Sequence, residues 1–213
     1  MIRTALALSF ALALPLSAAA EPPRHEEMKD HAALADDVRD AHQAQDLLND
    51  FDHVMQGKAL FPRIREQERV EVRVMDALNR EVDEANRETS QAGHEAARSE
   101  SDVRSKEDEL AWDARRGDRR EYRDDQRDLQ DQRRDAAKDR HDYIFKAEYR
   151  RRVLALRDEW ARLRGLRRPE QMQRKHDMLV ELVDLARMEI RSDQGELRED
   201  HRDDWQKDRR ERQ

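Results

Sequence analysis

Leu110-Ala111-Trp112-Asp113-Ala114-Arg115-Arg116-Gly117-Asp118-Arg119-Arg120-Glu121-Tyr122 is the stretch on which the fold turns. It lies in the middle of the least apolar part of the chain. Between 93 and 142 the large apolar residues are only Val103, Leu110, Trp112, Tyr122 and Leu129, against 17 of them from 28 to 82 and 19 from 143 to 190. No proline interrupts the span between Pro62 and Gly165, and helical spacing persists through it, so a continuous helix would run about 150 Å. Gly117 marks the centre of the depleted stretch. The apolar spacing is mirror-like about it, with Trp112 falling opposite Tyr122 and Val103 opposite Leu129. The pattern predicts a long antiparallel helical hairpin with arms 62–116 and 118–164 and its tip near Gly117. Gly93 is a rival break point.

Outward from the hairpin, two glycine–proline pairs punctuate the chain: Gly57 with Pro62, and Gly165 with Pro169. Glycine ends a helix by adopting positive φ, and proline opens one because its missing N–H is an orphan there. Apolar residues recur at helical spacing before the first pair (Val38, Ala41, Leu48, Phe51, Met55) and after the second (Met172, Leu179, Val183, Ala186, Ile190). This predicts helix 1 over about 26–56 and helix 4 over about 169–192. Val70, Val72 and Val74 alternate as in a strand, but the run is short and sits inside a helical pattern, so it is read as helix. The fold class is therefore all-α: an up-down helical bundle over 21–194 with a charge-rich, coiled-coil-like hairpin projecting from it. The segment 195–213 is a charged C-terminal tail, helical or frayed.

The N-terminus reads as an export signal. Arg3 is the only charged side chain in the first 20 residues, Ala5 to Leu16 is an apolar run broken only by Ser9 and Pro15, and Ser17-Ala18-Ala19-Ala20 offers small residues before Glu21. The expected destination is a bacterial periplasm or the outside, without a transmembrane segment once residues 1–20 are removed. No Cys follows to carry a lipid anchor, and the chain has none at all, which also excludes disulfides and thiolate chemistry. With 43 Lys plus Arg and 50 Asp plus Glu, the formal net charge is −7. Charge is unevenly spread: 146–175 carries +7 and 21–60 carries −6. The basic segment is expected to neutralise acidic helix 1 as its bundle neighbour. A surface for acidic lipid or lipopolysaccharide is the competing use. Nucleic acid is not an expected partner, since the chain is acidic and holds no recognised binding module.

Catalytic and cofactor motifs are missing. His25-Glu26 and His94-Glu95 begin like H-E-x-x-H but lack the second histidine. The Asp-rich runs place no glycine as a calcium-binding loop requires. No glycine-rich phosphate loop or nucleophile elbow occurs, so the expectation is a non-enzyme without cofactors. His42, Asp46, Asp50 and His53 lie near one face of helix 1. His42 and His53 stand about 16 Å apart along the axis, too far to share an ion, which leaves His42 with Asp46 as half a metal site at best. Tyr143-Ile144-Phe145 and Arg150-Arg151-Arg152 are the candidate partner surface, because three consecutive apolar side chains cannot all face one neighbouring helix. The function expected is a non-catalytic interaction protein, an adaptor or chaperone-like holdase, that self-associates or binds a protein. A metal-responsive binder and a purely structural spacer are the alternatives.

Overall fold

The computed structural model describes residues 25–56, 60–116 and 119–211. These form four helices: α1 (His25–Gln56), α2 (Leu60–Arg116), α3 (Arg119–Leu163) and α4 (Pro169–Glu211). α2, at 57 residues, is about 85 Å long. The proposed export signal (1–20) and the expected tip at Gly117 lie outside the described residues. No helix among the described residues is long and apolar enough to cross a membrane.

The helices run up and down. α2 packs along α3 to make the hairpin, α1 packs against α2 and α4, and α3 against α4, which leaves α1 and α3 on a diagonal. The expected neutralisation of α1 by the basic segment is met only in part, through Lys146, whose charge acts on Asp37. The paired arginines of that segment find their partners on α3 or α2: Arg151 and Arg152 with Glu148, Arg157 with Asp158, Arg167 with Glu68, and Arg174 of α4 with Glu159. A charge count along the sequence carries no information about which helices become diagonal.

The core fills the half of the bundle nearest the α1–α2 and α3–α4 corners. Leu47, Phe51 and Val54 of α1 meet Val70, Val74, Leu78 and Val82 of α2, Val153, Leu156 and Trp160 of α3, and Met178, Leu179, Leu182 and Leu185 of α4. Phe51 and Trp160 contact edge to face, with ring centroids 6.2 Å apart; such a pair contributes about 1 kcal/mol beyond its area. The valine run is helical as expected. Val70 and Val74, one turn apart, are buried, whereas Val72 is 40% exposed.

The α3–α4 corner follows its sequence closely. Gly165 adopts φ 74°, the left-handed conformation that ends a helix without steric cost in glycine. Arg168 caps α4, its carbonyl accepting the first helical bond from Met172 N–H and its own N–H donating to Gln171 Oε1 at 3.1 Å, the N3 half of a capping box. Two expectations are corrected. α4 does not stop near 192 but continues through Gly195 to Glu211, because a lone glycine costs a helix only about 1 kcal/mol. Gly93 breaks nothing: it lies inside α2, where a Cβ would come within 3.2 Å of Tyr143 Cε2, so its missing side chain admits the tyrosine ring.

Beyond Gly93 and Tyr143 the hairpin continues as a two-helix arm. Its shielded positions step by fours and threes: Ala92, Ala96, Ser99, Val103, Lys106, Leu110 and Asp113 on α2, and Tyr122, Asp125, Leu129, Gln132, Ala136 and Asp139 on α3. That is the heptad seam of a coiled coil, with half of its positions polar. The Ser99 hydroxyl donates to Asp139 across it, and Lys106 Nζ lies 2.7 Å from Asp125 Oδ1. Trp112, expected in the seam opposite Tyr122, is 58% exposed; Asp113 takes the seam position next to it.

Candidate functional site

Two clusters of buried charge interrupt the apolar interior. The first closes the base. Lys175 is fully buried and its Nζ lies 2.5 Å from Glu71 Oε1. It also donates to the Leu166 carbonyl at 2.8 Å. Glu71 accepts further bonds from Gln67 Nε2 and from the Gly165 N–H, both at 2.9 Å. Burial by itself would raise the Glu71 pKa, but these three donors outweigh it and hold the carboxyl below its ordinary value. The cluster is stapled from α2 through α4 to the α3–α4 corner. Its geometry is structural.

The second cluster lies where the four-helix body gives way to the arm, and every helix contributes to it. α1 brings Asp37 and Asp40; α2 brings Glu81, Glu84 and Glu88; α3 brings Asp142, Lys146 and Tyr149; α4 brings Glu189 and Asp193. Lys146 is the cation inside this layer. Its Nζ lies 3.2 Å from Glu88, 3.4 Å from Glu189 and 4.0 Å from Asp193. Although burial disfavours its charge, these carboxylates raise its pKa and keep it an ammonium. Tyr149, also buried, donates its hydroxyl to Glu81.

One lysine cannot offset so many carboxylates away from water. Burial, reinforced by a hydrogen bond and by repulsion from Asp193, pushes Asp37 up to about 9. Burial also lifts Glu189 to about 8 against the opposing pull of Lys146. Glu81 rises to about 7, again through burial, despite the Tyr149 hydroxyl that favours its ionised form. Asp142 and Glu84 are raised by burial as well. Asp37 Oδ2 and Asp142 Oδ1 are buried without a hydrogen-bond partner. A layer of this kind is relieved by holding protons.

Asp40, Glu81 and Glu84 bring one carboxylate oxygen each within 4.8 Å of one another, the only such group of three His, Asp or Glu side chains among the described residues. No imidazole joins it. We read these three as members of the crowded acidic layer and not as metal ligands.

His42 and Asp46 are both exposed on α1 and belong to no such group of three. Asp50 pairs with Arg73 of α2 at 2.5 Å. Of the expected partner surface, Ile144 is 58% and Tyr143 40% exposed, and Phe145 is half-buried. Arg150 donates to Asn86 Oδ1 at 2.5 Å, and Arg151 and Arg152 both grip Glu148. Arg150 thus reaches across to α2 while Arg151 and Arg152 stay on α3, all three exposed, and Ile144 is turned to solvent.

The acidic layer escapes an apolar reading of the sequence, yet a signal is there. On α4 the buried stripe Met178, Leu182, Leu185 steps on to Glu189 and then to Asp193. On α2, Glu81, Glu84 and Glu88 each adjoin a buried position, Val82, Ala85 and Thr89. Acids that continue or flank a core stripe mark a polar layer. No protein-family model, curated protein or solved structure matches this chain.

Proposed function

We propose that the protein is a non-catalytic, exported helical interaction protein, an adaptor or holdase-type scaffold, that engages a protein partner or a second copy of itself through its arm. The observation that carries this reading is the arm. It extends α2 and α3 past the body on a seam whose buried apolar residues are Ala92, Ala96 and Leu129. Ordering a residue costs roughly 1–2 kcal/mol of backbone entropy, and so thin a seam returns little of it. Such a length is explained by contacts made outside the chain. Exposed Trp112 flanks an open groove of about 610 Å³ together with Asp108, Glu109, Asp124 and Asp125, a surface suited to a basic and partly apolar partner.

The test compares the chain from residue 21 with a variant in which 104–131 is replaced by a short glycine-rich turn, and with Trp112→Ser. Suppression of aggregation of a heat-denatured client, together with mass by light scattering, is expected to be lost in the first and weakened in the second. Activity retained in both variants overturns the reading. Arg162, Arg164 and Arg168, exposed at the opposite pole, favour a second reading, contact with anionic lipid or lipopolysaccharide phosphate. Co-sedimentation with phosphatidylglycerol vesicles tests it. Export is tested by the N-terminal sequence of the mature protein, expected to begin at Glu21.

A further inference from the structure

We propose that the acidic layer is a proton-operated latch: while it holds protons it keeps the α1–α4 pair closed on the α2–α3 hairpin at the root of the arm, and when it loses them that end of the bundle opens. The geometry supplies each part. Carboxyl groups converge from all four helices on one interior ammonium, so neutrality of the layer depends on protons held by Asp37, Glu189 and Glu81. Toward the base the layer rests on continuous apolar core, from Leu78 and Leu156 down to Trp160, which holds that end together at any protonation state. On the other side α1 has little to hold it, since Leu34 and Val38 are half-buried and Ala35 is exposed. Opening is thereby confined to the arm end.

The charges facing the layer come from every helix. From α1 act Asp36, Asp37, Arg39 and Asp40. α2 adds Arg80, Glu81, Glu84, Arg87, Glu88 and Glu95, and α3 adds Asp142, Lys146 and the neutral Tyr149 hydroxyl. α4 adds Glu189 and Asp193. Arg39, Arg80 and Arg87 are exposed, so water screens them and Lys146 alone offsets the interior charge. The sign follows from the raised carboxyls. A group that binds its proton more tightly in the closed state contributes closure that is complete below its ordinary pKa and is lost as pH rises through its folded value. Here those values are about 7 for Glu81, about 8 for Glu189 and about 9 for Asp37.

The latch is independent of any partner and is measured on the chain alone. Because the sequence has no cysteine, Ala35→Cys on α1 and Ser90→Cys on α2, both at exposed positions, take a unique pair of nitroxide labels. Electron–electron distances at about pH 6 are expected to show one short, narrow population. At about pH 9.5 a longer and broader population should dominate, with helical circular dichroism retained. The isosteric pair Asp37→Asn with Glu189→Gln should stay short at both pH values, and Lys146→Gln should move the transition to lower pH. An unchanged distance between the two conditions overturns the latch. So does the same opening in the Asp37→Asn, Glu189→Gln chain, or wholesale loss of helix in place of opening.

Discussion

Replacing Lys175 with methionine is the sharpest probe of the base. The ammonium is fully buried, 2.5 Å from a Glu71 carboxylate that is itself 1% exposed. Methionine fills nearly the same volume, so the change deletes charge without opening a cavity. It leaves Glu71 with two donors, Gln67 and the Gly165 N–H, and the Leu166 carbonyl loses the Nζ bond. Breaking a buried pair from one side costs roughly 3–5 kcal/mol, because the surviving charge is left uncompensated. For a chain of this size each kcal/mol moves the melting temperature by about 2–4 °C, so Lys175→Met should melt roughly 6–20 °C lower. Two companion measurements isolate the cause. Adding Glu71→Leu removes the stranded charge and should restore most of the loss. Lowering the pH toward 5 should narrow the gap to the parent, since protonation of Glu71 neutralises it in the single variant. Thermal melts by circular dichroism suffice. A melting temperature within about 3 °C of the parent, or a double variant less stable than the single, would refute the account.

The acidic layer sets the pH profile. Its carboxyls are raised, so melting temperature should be highest in mild acid and decline as pH rises from about 4.5, the ordinary carboxyl range, to about 9, with the Glu81 share lost by about 7. Glu81 by itself is worth about 3 kcal/mol of that slope, and Glu81→Gln should flatten the profile; a flat profile in the parent chain would contradict it. Gly195→Ala, with nothing within 4 Å of the new Cβ, should stabilise by about 1 kcal/mol through helix propensity, read from urea midpoints. Gly93→Ala should gain less, because the Tyr143 ring has to yield at 3.2 Å. Gly165→Ala should destabilise by about 1 kcal/mol, since φ 74° strains any side chain; equal midpoints would show that the corner relaxes freely.

The all-helical class was written locally. Threes and fours between Gly57, Pro62, Gly165 and Pro169 fix helices because periodicity, caps and the scarcity of breakers act within a turn or two of chain. The same local rules gave α3 its end at Gly165 and overrode the strand-like alternation at Val70–Val74, which the burial of Val70 and Val74 bears out. They fell short at the end of α4, where Gly195 looked like a stop, and at Trp112, whose mirror-like spacing with Tyr122 suggested a seam position that Asp113 in fact takes. Of the acidic layer they left only a trace, the acids that continue or flank the core stripes of α4 and α2. Asp37, Glu81, Lys146 and Glu189 are far apart in the chain, and each alone is an ordinary solvated charge on a helix. Only the packing of four helices removes water from all of them together, and desolvation at that junction turns an unremarkable composition into protons the protein must hold.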